Sequence, residues 1–298
     1  VIKNDDAASM LPELQDYLIS PGDVFFTFKN GKAVQLLRAG GPVDSARMKR
    51  YLSSSGVLSM NKITDSVNVA RAQELWLALR DEKESRKIPL ARYKILHWFK
   101  KVYWDGAKTG SLLDLVNIGE QVFYRLPLQI ENVIKAKSFY SFTRGALMGT
   151  LGATLCLATG NLEFSYLRDF YHVCMLLDFR LHEKMSFTLR TAMEKGRQNY
   201  QEGIRYLENL GLSLEVQLYK DHANSYAPFE NIPGISQLFS NPSVVQLMAH
   251  HHERIDRSGP SQLSEEEMSD EEWLLVLLDV LLPIHEMNFK VNDGMGFL

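Results

Sequence analysis

Cysteine is scarce in this 298-residue chain, which holds only Cys156 and Cys174, both inside apolar stretches. A chain of this length can bury a substantial core without disulfide bonds. Two buried thiols in a reducing cytoplasm are therefore expected, although the two could also pair. The opening residues, VIKNDDAAS, contain no apolar segment of the kind found in a signal peptide.

Long apolar runs and a strong net charge are missing too. The longest uncharged stretch, 145–162, is shorter than the roughly 20 residues of a membrane span, so it predicts a buried helix. A net charge of -3 gives no reason to expect nucleic acid or an anionic membrane as a partner. Lys100 and Lys101 lie near Trp98 and Trp104, but an amphipathic helix explains this pattern better than an RNA surface does.

The sequence signatures of several large enzyme classes are also absent. The chain has no P-loop, no Gly-rich dinucleotide fingerprint, no HExxH and no GxSxG. Kinase, Rossmann, zincin and α/β-hydrolase functions therefore lack support. Apolar residues at 45% and charged residues at 23% are instead typical of a soluble globular protein, and a cytoplasmic location is expected.

The first part of the chain, residues 1–62, predicts a small α/β module. The segments DVFFTF and KAVQLL flank Asn30-Gly31, which favours a hairpin because both turn positions adopt positive φ. Residues 43–52 carry a helical pattern, and residues 57–60 (VLSM) are expected to return as a third strand.

The rest of the chain is predicted to be helical, which makes the fold class mainly α. Residues 63–130 form a helical connector and residues 131–298 a C-terminal helical bundle, because apolar residues recur there at helical intervals. Helices are predicted over 66–81, 91–104, 111–136, 138–159, 163–181, 186–209, 212–223, 242–252 and 270–289.

Histidines and carboxylates of the C-terminal half suggest a metal site. His250, His251 and His252 are consecutive, a run that alone could be a solvated helix end. Asp279 lies inside WLLVLLDVLLPI, and Asp178 follows the apolar run FYHVCMLL. An unpaired buried carboxylate costs several kcal/mol, so each needs a metal, a proton or a cation, and pairing with arginine or a helix N-terminus is the alternative for Asp279. Carboxylate with imidazole suits iron, manganese or zinc.

The same half resembles the HD-GYP family of cyclic-dinucleotide phosphodiesterases over roughly residues 130–298. HHERIDRSG at 251–259 is similar to the family motif HHExxDGxGYP. LRDFYHVCMLLDF at 167–179 resembles the helix that ends in LLHDIGK, and YSFTR at 140–144 an HSxRV-type segment. The resemblance implies five metal ligands, of which the first also serves catalysis: Asp178, His222, His251, His252 and Asp279.

This resemblance implies a helical bundle that holds divalent metal ions, one or two of them in this chain. Iron is expected first, with manganese as the alternative. A metal-activated water would cleave cyclic di-GMP or a related cyclic dinucleotide, one cation binding the phosphate while the pair acidifies the water. Signalling proteins are possible further partners, whereas nucleic acid and membrane are not expected.

Departures from the family pattern leave the activity open. Leu177 replaces the HD histidine, Tyr140 the earlier histidine and Leu181 the following lysine. Arg257 stands at the DG glycine, and the GYP tyrosine is missing before Pro260. Two functions therefore compete: a divergent metal-dependent phosphodiesterase, and a weak or silent metal-binding module for signalling or interaction.

Further candidates lie near these motifs. His182 and Glu183 could supply a substitute ligand pair. Arg254 and Arg257 could bind phosphate as substrate-binding residues, because guanidinium forks match phosphate oxygens. The alternative for both arginines is a solvated loop with a local pair to Asp256.

Overall fold

The computed structural model is mainly α-helical, with one small antiparallel sheet near the N-terminus, as the sequence predicts. It describes residues 14, 18–44, 48, 50, 51, 56–104, 110–128, 130–132, 139–178, 181, 184–197, 199–224, 238–241, 244 and 246–282. The strands are β1 (Gly22–Phe28), β2 (Ala33–Leu37) and β3 (Gly56–Lys62). The helices are α1 (Ser66–Asp81), α2 (Ile88–Phe99, continued by a π turn at Lys100–Trp104), α3 (Leu112–Val122), α4 (Phe139–Thr159), α5 (Phe164–Leu176), α6 (Phe187–Gly196), α7 (Tyr200–Asn209), α8 (Ser213–Asn224), α9 (Leu247–His250) and α10 (Asp270–Leu281).

The predicted hairpin and third strand are confirmed, although only Gly31 of the two turn positions takes positive φ. The strand order is β2-β1-β3, and both pairings are antiparallel. Gly31 takes φ +80°, and the Phe28 N–H donates to the Lys32 carbonyl at 2.9 Å to close the turn. Val24 and Phe26 of β1 anchor a small core of the sheet's own. The helix predicted over 43–52 is described only in part, at positions 48, 50 and 51, which are helical.

One large hydrophobic core joins the connector to the C-terminal half. Trp76 of α1 and Val116 of α3 belong to the same cluster as Leu147 of α4 and Phe170 of α5. Residues 145–159 of the uncharged stretch form most of α4, and they are buried as far as position 157 except at the exposed Leu155. Over the part of the chain that is described, none of the helices has both the length and the apolarity to cross a bilayer.

Several predicted helices end earlier than their apolar patterns suggest. The single helix over 111–136 is wrong, since α3 stops at Val122, five residues before Pro127. Proline lacks the N–H that a helix interior needs and clashes with the carbonyl four residues before it. The helix over 270–289 likewise stops at Leu281, and Leu282 is extended (ψ 123°) because the α region is disfavoured before Pro283.

The single helix predicted over 186–209 is two helices. Asn199 caps α7 by accepting a hydrogen bond from the Gln201 N–H, and such a cap residue has non-helical backbone angles. A second, smaller core forms where α6, α7 and α8 meet, with the rings of Tyr200 and Tyr219 stacked 5.1 Å apart. This core supports α8, which carries His222.

Candidate metal centre

Four of the five predicted ligands converge on one buried point. The ligand atoms of Asp178, His222, His251 and His252 all lie within 4.8 Å of one another. Asp178 Oδ1 is 3.2 Å from Nε2 of His222, 3.2 Å from Nε2 of His251 and 3.3 Å from Nε2 of His252. The Nε2 atoms of His222 and His252 are 2.8 Å apart. The group can hold a metal ion.

Asp178 reaches this point because α5 ends just before it. The Leu177 N–H closes the last turn on the Val173 carbonyl, and Asp178 then takes φ +59°. This left-handed conformation is uncommon for non-glycine residues, but aspartate tolerates it better than most. The Asp178 carbonyl accepts from the Leu181 N–H at 2.8 Å. The helix end and the turn together place the carboxylate among the imidazoles.

Backbone carbonyls orient two of the three imidazoles. His222 Nδ1 lies 2.5 Å from the Tyr219 carbonyl oxygen, and His251 Nδ1 lies 2.6 Å from that of Met248. Because a carbonyl oxygen only accepts, both Nδ1 atoms carry the proton. Each Nε2 therefore faces the centre, where its lone pair would be available to a bound cation, which is the arrangement of metal-binding histidines.

The spacing of the four atoms fits a coordination sphere. Three imidazole nitrogens and one carboxylate oxygen are all electron-pair donors, so protons or a cation must lie between them. Metal bonds of about 2.1 Å to nitrogen and oxygen place neighbouring ligand atoms roughly 3.0–3.4 Å apart. The three distances from Asp178 Oδ1, 3.2–3.3 Å, fall in this range, the His222–His252 distance of 2.8 Å is slightly shorter, and all pairs lie within 4.8 Å. One cation at the centre would satisfy all four atoms at once.

The electrostatics of the group also favour a cation. Burial alone would raise the pKa of Asp178, but hydrogen bonds from the three imidazoles hold it well below its usual value. Burial and repulsion from His251 lower the pKa of His252 to about 3. The pKa of His251 is raised because its hydrogen bond to Asp178 outweighs its burial. The centre thus keeps an ionised carboxylate that attracts positive charge.

The fifth predicted ligand, Asp279, lies beside this group and is paired with arginine. Its Oδ1 accepts from Arg144 Nη2 at 2.7 Å, and its Oδ2 accepts from Arg254 Nη2 at 3.1 Å. Burial would raise the pKa of Asp279, but Arg144, His252 and Arg254 lower it to about 2. His252 Nδ1 is 3.8 Å from Oδ2. The arginine pairing that the sequence left open is therefore present.

The two arginines nominated for phosphate have different surroundings. Arg254 is buried, and besides Asp279 it donates to the carbonyls of Arg197 (2.7 Å), His251 (3.1 Å) and Glu253 (2.7 Å). These hydrogen bonds hold the loop that carries Arg254 against the histidine segment and the end of α6. Arg257 is exposed and takes φ +59°.

Two residues that support the centre, Arg144 and Glu253, were not nominated from the sequence. Arg144 neutralises Asp279, and its position directly before the uncharged stretch was the available signal. Glu253 is fully buried and accepts from the N–H groups of Ser261 (2.7 Å) and Leu263 (3.1 Å), which fastens the loop after the histidines. His250 pairs with Glu272 on α10 and stands apart from the four ligands.

The positions that depart from the HD-GYP pattern supply no ligand where the structure describes them. Leu177 and Leu181 are buried in apolar clusters. The side chain of Tyr140, and the whole of His182 and Glu183, lie outside the described residues.

Comparisons with protein-family models, with curated proteins and with solved structures found no match to this chain. The likeness to HD-GYP proteins rests on the motif residues quoted above.

Proposed function

We propose that this chain is a divergent HD-GYP-type domain that binds one divalent transition metal ion, iron first and manganese as the alternative. The observation that carries the proposal is the set of four ligand atoms at coordination spacing, with two imidazoles anchored through Nδ1. A carboxylate with three imidazoles suits iron, manganese or zinc. Structural zinc sites of the thiolate type use cysteine ligands instead.

One ion is proposed rather than two because the charge of Asp279 is already balanced. Two guanidinium groups contact its two oxygens. A second divalent ion at this carboxylate would lie close to both guanidiniums, and buried like charges repel strongly at such distances. Leu177, at the place of the HD histidine, further removes a ligand from that side of the site.

The proposed ligand is cyclic di-GMP, with slow or undetectable hydrolysis. When bound, the metal supplies a Lewis acid for a phosphate oxygen and lowers the pKa of a coordinated water. This chain's residues hold and orient that position: Asp178 provides the negative charge, and backbone carbonyls fix the rings of His222 and His251. Arg257, the solvent-facing guanidinium of the same loop, would contact phosphate.

Weak turnover is expected because each cation of a two-metal hydrolase stabilises the transition state by several kcal/mol. Each 1.4 kcal/mol of activation free energy corresponds to about a tenfold change in rate. The second candidate function is a silent metal-binding module for signalling. The burial of Arg254 favours it, since that guanidinium serves the protein's own loop instead of a ligand.

Metal content tests the first part of the proposal. Protein purified without chelator should contain close to one iron or manganese ion per chain, measured by elemental analysis. His251→Ala should lose that ion, whereas His250→Ala is a matched control, because His250 is the neighbour that pairs with Glu272. A metal-free wild type that takes up no added iron, manganese or zinc would refute the proposal.

Titration calorimetry beside a product assay, with iron and manganese supplied, tests the second part. Binding of cyclic di-GMP with turnover far below that of two-metal hydrolases is the expected result. Rapid turnover would show that further residues complete the site. Metal binding without any affinity for the dinucleotide would establish the silent module instead.

A further inference from the structure

Helix α10 presents an apolar cleft on the outside of the protein, next to the loop that follows the histidines. Trp273, Val276, Leu277 and Val280 line it at the spacing of a single helix face. Ile255 of the loop closes the other side. The cleft has a volume of about 880 Å³, and Ile255 and Leu277 are 77% and 50% exposed. Exposed apolar surface with a polar rim is typical of interaction sites.

The rim of the cleft is acidic. Asp256, Glu265 and Asp270 all line it, and all three are exposed. The one arginine in the wall, Arg254, is buried and paired with Asp279. The cleft thus suits a partner with an apolar stripe and flanking positive charges. A phosphate or a nucleic acid would instead be repelled by the acidic rim.

The same chain carries such a stripe on helix α2. Leu90, Tyr93, Lys94, His97 and Lys101 are all exposed and recur at helical intervals. Leu90 is 54% and Tyr93 62% exposed, and the rings of Tyr93 and His97 stack 5.7 Å apart.

The opposite face of α2 is the one that the protein core uses. Ile95 is buried in the core, and Arg92 donates to the Leu157 carbonyl at 2.8 Å. Core packing therefore accounts for one face of the helix, and the basic aromatic face is exposed among the residues that the structure describes.

We propose that the basic aromatic face of α2 docks into the acidic-rimmed cleft of a second copy of this chain. Charge and apolar surface match on the two sides. Lys94 and Lys101 would meet the rim residues Asp256 and Glu265. Leu90 and Tyr93 would cover the apolar face of α10 that lines the cleft. The two surfaces differ, so the contact is head-to-tail, and it can extend into a ring or an open chain. The inference is independent of the metal.

Reciprocal charge reversal tests this contact by sedimentation velocity. Wild-type protein should associate as its concentration rises, and more weakly at high salt. Lys94→Glu/Lys101→Glu and Asp256→Lys/Glu265→Lys should each raise the dissociation constant about tenfold or more, because like charges then face each other. Mixed together, the two native surfaces are complementary in charge, and so are the two reversed surfaces. The mixture should therefore associate again, with the two variants alternating.

Arg71→Glu/Arg205→Glu is the matched control, since it changes the net charge as the first variant does but lies outside the stripe. It should associate like wild type. Circular dichroism melting should show that all variants fold, because every substituted residue is exposed. A wild type that stays monomeric at about 100 µM, well above micromolar dissociation constants, would overturn the proposal. So would a charge-reversed pair that fails to associate on mixing.

Discussion

The buried ion pair between Arg144 and Asp279 gives the sharpest test of how the centre is balanced. Arg144 Nη2 donates to Asp279 Oδ1 at 2.7 Å and to the Asp279 carbonyl at 2.9 Å, and its Nε donates to the Leu282 carbonyl at 3.1 Å. Both side chains are almost fully buried, at 6% and 2% exposure. Arg144→Met removes the cation and leaves the carboxylate with Arg254 as its remaining guanidinium partner.

The expected loss of stability follows from that geometry. Removing one partner of a buried pair costs about 3–5 kcal/mol, and the lower end applies because Arg254 still contacts Asp279. Removing both charges in Arg144→Met/Asp279→Leu should cost less than the sum of the two single changes, by about 2 kcal/mol. Arg71→Met, which breaks an exposed pair with Glu74, is the control and should change stability by less than about 1 kcal/mol.

Urea unfolding at neutral pH, followed by tryptophan fluorescence with a chelator present, measures all four variants without a metal contribution. Two outcomes would refute the reasoning. A loss below about 1 kcal/mol for Arg144→Met would show that the buried pair stabilises little. Additive single and double changes would show that Asp279 is not balanced by Arg144.

Four further changes have defined outcomes. Burial lowers the pKa of His172 from 6.5 to about 3. The unfolded chain therefore takes up a proton below pH 6.5 that the folded chain does not. The free energy of unfolding should fall by about 2 kcal/mol by about pH 5. His172→Gln should remove that part of the pH dependence in urea unfolding with chelator. Gly119→Ala should lower stability by about 1–3 kcal/mol in thermal melts, because the new Cβ would lie 2.1 Å from Thr150 Oγ1. Glu253→Ala should cost about 1–3 kcal/mol, since two backbone N–H groups lose their acceptor. Limited proteolysis should release a stable C-terminal fragment that starts between about residues 60 and 130, and the core shared by α1 and α4 places the cut near residue 62, as mass spectrometry would show.

Much of the centre could be predicted because local sequence carries it. Asp178 ends an apolar helical run, so residue type and context nominate it, whereas His251 and His252 were nominated through the resemblance of their motif to the HD-GYP signature. Helices α1 and α4 were predicted within a residue of their ends, since their apolar spacing runs unbroken between clear breaks. The fold class follows from the same periodicity.

The supporting contacts could not be predicted because they join distant parts of the chain. Arg144 and Asp279 are 135 positions apart, and periodicity says nothing about which buried charge meets which. The helix break before Asn199 depends on a side-chain cap in a segment that is otherwise helical in pattern. Sequence showed that Asp279 needs a countercharge, whereas only the tertiary arrangement shows that guanidinium groups supply it.

The net charge of the site depends on both the four-ligand group around Asp178 and the arginine pairs of Asp279. Asp178 and Asp279 contribute two negative charges, and Arg144 and Arg254 contribute two positive ones, so these four charges of the buried group cancel when its imidazoles are neutral. One divalent ion at the four ligands would bring it to a net charge of +2, which attracts a phosphodiester anion. Two divalent ions would bring it to +4 beside two fixed guanidiniums, in surroundings where buried charge is poorly screened. The arginine pairing of Asp279 therefore favours one metal ion over two at the proposed centre, and a single ion is the basis for the slow hydrolysis that we propose.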